Sequence, residues 1–142
     1  MDLTGKVYRD FTTGRYEHSL TEPYYLAVQK ETSGEMIYVS DHRTDTITNM
    51  SLKGQVLGAY THDNWHGILR LTFVGDGQLL VSNLFKHTVD LVSNHGKDTV
   101  TLIDSTHGLD SPRTLCYNPS EATLYVSSND GKPISAFKLT NK

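Results

Sequence analysis

The sequence predicts an all-β fold of repeated four-stranded antiparallel sheets, and three observations carry that expectation. The stretch 71–93, LTFVGDGQLLVSNLFKHTVDLVS, holds three short runs in which every other residue is apolar, separated by Gly75-Asp76-Gly77 and by the polar segment 83–88. That is the pattern of an antiparallel meander. The same text returns about one unit-length away on both sides, with Val39 and Val126 where this stretch has Val81. Leu26, Leu71 and Leu115 are spaced 45 and 44 residues apart, while Ile47, Val89 and Ile134 are spaced 42 and 45. A repeat of roughly 40–50 residues with four strands per unit is the signature of a β-propeller blade, and no helical repeat carries this period-two patterning.

The elements follow in order. Residues 5–11, GKVYRDF, read as a Gly-led strand, and the polar stretch 12–21 with Gly14 as a connecting loop. Glu22-Pro23 leads into a strand over 25–29, and the turn at 31–35 into a second over 36–41. After the polar turn 42–45 come strands over 46–51 and 56–61, separated by Lys53-Gly54. The second unit repeats this with strands over 71–74, 79–83, 88–93 and 100–104. The third starts at Ser111-Pro112-Arg113 and runs through strands over 115–117, 123–128 and 134–139. The predicted blades are thus 24–61, 69–104 and 113–139 within a propeller segment over 5–139.

Composition bounds the class. A chain of 142 residues with 37% apolar and 20% charged residues is ordinary for one globular domain. No run approaches the roughly 18 apolar residues of a membrane span, and residues 1–6 lack the basic and apolar regions of a signal peptide. The expectation is a soluble, cytoplasmic protein that does not engage a membrane. The single cysteine, Cys116, excludes an intrachain disulfide framework and suits a reducing compartment. Set in Leu-Cys-Tyr, it reads as a buried small hydrophobe rather than a nucleophile. A net charge of −3 lacks the surplus of nucleic-acid binders, although a local basic face remains open.

The segments VSDHRTDTITNMSLKGQVLGAYT and VSNLFKHTVDLVSNHGK resemble NHL repeats, and SPRTLCYNPSEATLYVSS is similar to the Pro-Arg-x-Leu start and hairpin of a last NHL blade. The nearest resemblance is to the C-terminal NHL propellers of tripartite-motif (TRIM-type) proteins, and it covers about residues 5–139. It implies a propeller that selects partners. The RING, which is the ubiquitin-ligase element of that family, needs paired Cys and His zinc ligands that are missing from this sequence. The chain therefore resembles the recruiting part of such a ligase and not its catalytic part.

One leading strand, two full units and a final unit of three strands make twelve strands, three blades' worth, or half of a six-bladed ring. In closed propellers of the resembled family a strand from the other end of the chain completes the last blade, which gives 5–11 that role. Known propellers use roughly four to eight blades, so three do not close by themselves. Two copies related by a two-fold axis, each pairing its 5–11 beside the partner's 134–139, make a six-bladed homodimer. A piece of a longer propeller and an open arc are the alternatives.

The chemistry-bearing residues point to binding. His62 and His66 have i, i+4 spacing, but that spacing gathers metal ligands only on a helix, and these lie in a loop between blades. Asp76-Gly77 and Asn129-Asp130-Gly131 lack the acidic series of a calcium loop and read as hairpin turns. Asn49-Met50-Ser51 is a formal glycosylation sequon inside a predicted strand. No metal or cofactor is expected. Ser40, Ser82 and Ser127 recur after the same valine and read as register features, and no nucleophile stands beside a plausible base, so the chain is expected not to be an enzyme.

The loops entering each blade's first strand and those joining its second and third strands share one face of a propeller. Here they carry Tyr24, His42, Arg43, His66, Arg70, Phe85, Lys86, His87, Arg113 and Lys132 as candidate binding residues. Tyr25 and Trp65 fall in the same loops and are either binding residues or packing between blades. Phe85, in a polar turn, is expected to be exposed. Aromatics mixed with Arg, Lys and His suit a protein partner, and the alternative is single-stranded RNA held by stacking and phosphate contact.

Overall fold

The computed structural model describes residues 4–6, 20–32, 34–75, 77–93, 96–128 and 131–140. Eleven strands lie among them: β1 (Pro23–Glu31), β2 (Gly34–Asp41), β3 (Thr46–Ser51), β4 (Val56–Tyr60), β5 (Ile68–Gly75), β6 (Gln78–Asn83), β7 (Thr88–Ser93), β8 (Asp98–Ile103), β9 (Thr114–Asn118), β10 (Thr123–Ser127) and β11 (Ser135–Lys138). They form three antiparallel meanders, β1-β2-β3-β4, β5-β6-β7-β8 and β9-β10-β11. These are partial β-propeller blades, the fold that the alternating runs predict. No helix among the described residues is long and apolar enough to cross a membrane.

Side-chain alternation sends each strand's apolar residues to both faces of its sheet, and the sheets stack so that the faces meet. Tyr38 and Ile47 of the first sheet pack with Leu71, Leu79, Val81 and Val92 of the second. The other face of the second sheet, Leu80 and Val89, packs with Leu115, Leu124 and Val126 of the third. The central sheet is therefore buried on both sides. In β6, Leu79 through Asn83 are all buried, although only every second side chain points the same way.

Several strands run a residue or two beyond the alternating runs, because backbone pairing continues where side-chain alternation has stopped. Gly5 and Lys6 are in no strand, and the rest of the predicted leading strand, 7–11, lies outside the described residues, as do Asp76, Asn129 and Asp130. Cys116 corrects an expectation, since it is exposed. Leu115 and Tyr117 turn toward the central sheet, and strand geometry sends the residue between them to the opposite, outward face. A short 3₁₀ turn at Ser105–His107 was not anticipated; Asp104 caps it and Gly108, at φ 83°, ends it.

Leu80 is fully buried between the second and third sheets. Leu80→Ala is expected to cost about 3 kcal/mol, the usual penalty for a collapsed leucine site. The check is a lower urea midpoint at unchanged slope.

Candidate binding face

Backbone groups at the mouth of each blade are held by side chains at repeating positions. Asp41, at the end of β2, takes the amides of Thr21 (2.5 Å) and Glu22 (2.9 Å) on one carboxylate oxygen and those of Arg43 (3.1 Å) and Thr44 (3.2 Å) on the other. Burial raises its pKa, but these donors outweigh that effect and hold the carboxyl below the ordinary aspartate value. In the second blade the same position is Asn83, whose Oδ1 accepts from the His66 amide at 2.9 Å while its Nδ2 donates to the Asn64 carbonyl at 2.8 Å.

Four residues further on, Asp45 and His87 both adopt positive φ, 51° and 56°. Each reaches across to the next blade. Asp45 Oδ1 accepts from the amides of Gly67 (2.8 Å) and Ile68 (3.0 Å), and His87 Nδ1 accepts from the Ser111 amide (2.9 Å). These bridges tie the turn between a blade's second and third strands to the loop entering the next, so both loop types gather on one face.

On that face four rings form a continuous chain. Tyr24 lies 5.7 Å from His42, His42 lies 6.4 Å from Phe85, and Phe85 lies 5.2 Å from His66. Phe85 is 56% exposed yet fixed in place. Its amide donates to the His66 carbonyl at 3.1 Å, and its ring lies so close over Gly67 that a Cβ there would stand 2.4 Å from Cδ2. Gly67 also sits at φ 77°, where a side chain is strained, so glycine is required twice over. Asp45 Oδ2 stands 3.7 Å from His66 Nδ1. Arg43 and Lys86 are exposed in the two turns that carry His42 and Phe85.

A second group sits between the second and third blades. His87 Nδ1 is 3.3 Å from Asp110 Oδ1, and Lys132 pairs with the other oxygen of Asp110. Lys132, with help from the Ser111 hydroxyl, holds the Asp110 carboxyl below its usual range. Ser111 Oγ also lies 3.4 Å from His87 Nδ1. Serine, histidine and aspartate thus meet, but both partners address the same ring nitrogen, which already accepts the Ser111 amide. A proton relay needs the base's two nitrogens to serve nucleophile and acid separately, so this arrangement is a loop clamp.

Of the residues singled out from sequence, Tyr24, His42, Phe85 and His66 come together as the ring chain. His87, Lys132 and the exposed Arg113 lie in the second region. Arg70 differs from expectation: it lies within β5, with its guanidinium 3.8 Å over the Tyr25 ring, part-way into the seam between sheets. Trp65 is buried in the core, which decides its packing reading. His62 Nδ1 accepts from the Asn64 amide at 3.2 Å and its ring faces Trp65 at 6.1 Å, so it and His66 have separate partners. Sequence reasoning missed Asp41, Asp45 and Asp110. The signal available was the register of DHRTD on NLFKH, which pairs Asp41 with Asn83 and Asp45 with His87.

The chain is similar in fold to solved propeller-like proteins. Virginiamycin B lyase from Staphylococcus aureus aligns at 19% identity and TM-score 0.54 over 86% of this chain and 43% of the lyase. A catalytically inactive form of that lyase with quinupristin aligns at 17% identity and TM-score 0.59 over 89% of this chain and 44% of its own. Hydrazine synthase from Kuenenia stuttgartiensis aligns at 16% identity and TM-score 0.67, over 94% of this chain and 36% of its own. The chain thus spans less than half the length of these structures, and identities this low establish shared architecture alone. No protein-family model and no curated protein sequence matches the chain.

The depressed Asp41 carboxyl fixes a pH dependence. A group whose folded pKa lies below its unfolded value of about 4 stabilises fully above that value and ceases to do so as pH falls through the folded one. Asp41→Asn is expected to cost about 2 kcal/mol at pH 7, since hydrogen bonds to a charged acceptor are lost. Denaturation midpoints of variant and parent should converge as pH falls below the ordinary aspartate value of about 4 and through the lower folded one.

Proposed function

We propose that the chain is a non-catalytic binding module that grips a protein partner with its loop face, in the manner of the recruiting propellers of tripartite-motif ligases that its repeats resemble. In this reading it works in the cytoplasm without a cofactor. The observation that carries it is Phe85: a large apolar ring, more than half exposed, locked over Gly67 and flanked by His42 and His66. Rigid exposed aromatics surrounded by polar groups are what dominate protein interfaces, because their contact area comes at little cost in conformational entropy. The neighbouring lyase's activity belongs to that protein, and the histidine–aspartate contacts on this face are engaged in holding loops.

Single-stranded RNA is the second reading, favoured by Arg43 and Lys86 beside rings on which bases stack. Asp45 and Asp110 weigh against it, since each places a carboxylate among the cations of the face.

Peptides selected from a displayed library on the immobilised chain should lose at least ten-fold in affinity for Phe85→Ala, consistent with removal of about 2 kcal/mol at a central anchor. Selected peptides that bind the variant unchanged would sink the protein reading. With poly(U) as probe, an RNA site should weaken steeply with salt and fail in a chain carrying Arg43→Glu and Lys86→Glu.

A further inference from the structure

The two outer sheets each turn one face to the central sheet and one away from it, and the repeat register shows what the outward faces are shaped to meet. On the first sheet Leu26 holds the position of Leu71, and Val28 that of Phe73. Leu71 is 1% exposed, because the preceding sheet covers it, whereas Leu26 is 61% exposed. Val39, Thr48 and Met50 on the same face are buried, so the open part runs along β1. At the opposite end Ile134 holds the position of Ile47 and Val89, both fully buried, and is 71% exposed. Tyr125 holds the position of Tyr38 and Leu80, and Cys116 that of Ala27 and Thr72. The outward face of the third sheet is therefore the face that, in the first two sheets, covers the next blade.

The polar groups repeat the message. Ser40 Oγ donates to the Leu69 carbonyl of the next blade at 2.6 Å, and Ser82 Oγ approaches the Arg113 carbonyl at 3.4 Å. The third such serine is Ser127, and the carbonyl in register with Leu69 and Arg113 is that of Tyr24. Asp45 and His87 each reach the next blade's entering loop. The third residue in that position is Lys132, and the position in register with Gly67 and Ser111 is Glu22, an exposed carboxylate. Cation and anion would then face each other across the missing seam.

We infer that a second copy of this chain fills it. The outward face of the β9-β10-β11 sheet packs on the β1 side of the partner copy, twice about a two-fold axis, so that six sheets close a ring. One polypeptide carries both halves of the interface, and it makes the same interface twice within itself. A head-to-tail contact of that kind ends in a ring when its rotation closes, and six sheets fall within the four to eight that propellers use. Ser127, accepting from the Thr114 hydroxyl, then donates to the partner's Tyr24 carbonyl, and Lys132, while paired with Asp110, also meets the partner's Glu22. The inference is independent of what the loop face binds.

Light scattering on the 142-residue chain across micromolar concentrations tests it. The expected mass is that of two chains. Ile134→Glu, which alters a side chain already exposed within one copy, should give the single-chain mass with an unchanged circular dichroism spectrum and a Cys116 thiol at least ten-fold more reactive. Lys132→Glu should also yield single chains, and adding Glu22→Lys to the same chain should restore the pair. A single-chain mass for the parent, a mass that climbs without limit, or an Ile134→Glu variant that stays paired overturns the inference.

Discussion

A propeller sheet carries apolar side chains on both faces, and neither face is stable in water. That constraint governs the whole molecule. The central sheet meets it completely, with Val81 against the first sheet and Leu80 against the third. Adjacent residues of one strand thus belong to different cores. Burying both faces at once is what removes the alternation of exposure from β6 while leaving the alternation of direction intact. Among the described residues the outer sheets meet it fully on one side and in part on the other, where Val39, Thr48 and Met50 are buried but Leu26 and Ile134 lie open at positions where their counterparts are buried.

Stacking the sheets in this way also determines where the loops end up. The mouths of the first two blades are each stitched to the next by a side chain in a left-handed turn, and the stitch tolerates different chemistry so long as it accepts from an amide. A carboxylate does this at Asp45 and an imidazole at His87. The exchange has an electrical consequence. At the first seam the acid approaches His66 and leaves aromatic rings prominent, whereas at the second the imidazole draws in Asp110, which in turn binds Lys132. One structural position therefore gives the two halves of the face unlike characters.

The sheets were legible because alternation and a repeat of about 44 residues survive in the letters themselves. What escaped was whatever depends on the partner sheet. Leu-Cys-Tyr looks buried throughout, but only a stacked neighbour decides which side is covered, and Cys116 falls on the open one. Trp65 sits in a polar loop and is nonetheless core, since the loop folds its indole back between the blades. Arg70 is drawn out of the loop by early pairing of β5 and laid over Tyr25. The ring chain was foreseeable as a list of residues but not as a contact series. Nothing in the spacing of Tyr24, His42, His66 and Phe85 reveals distances that arise only when turn and loop are bridged.

In the binding role proposed for Phe85, what counts is that its ring is held in place as well as exposed. An aromatic on a mobile turn must be immobilised when a partner arrives, and that cost opposes binding. Here the turn is already fixed by hydrogen bonds from the Leu84 and Phe85 amides to the carbonyls of Gly67 and His66, and the ring is seated on a glycine with no room for a side chain. Contacts within the second blade, at the open end of the β5–β6 pair, have thus settled the orientation of that ring in advance, while Asp45 of the first blade holds the same Gly67 backbone from across the seam. The two sets of bonds meet at Gly67, whose amide is held by Asp45 across the seam and whose carbonyl accepts from Leu84 beneath the Phe85 ring, so that enlarging Gly67 disturbs seam and ring together.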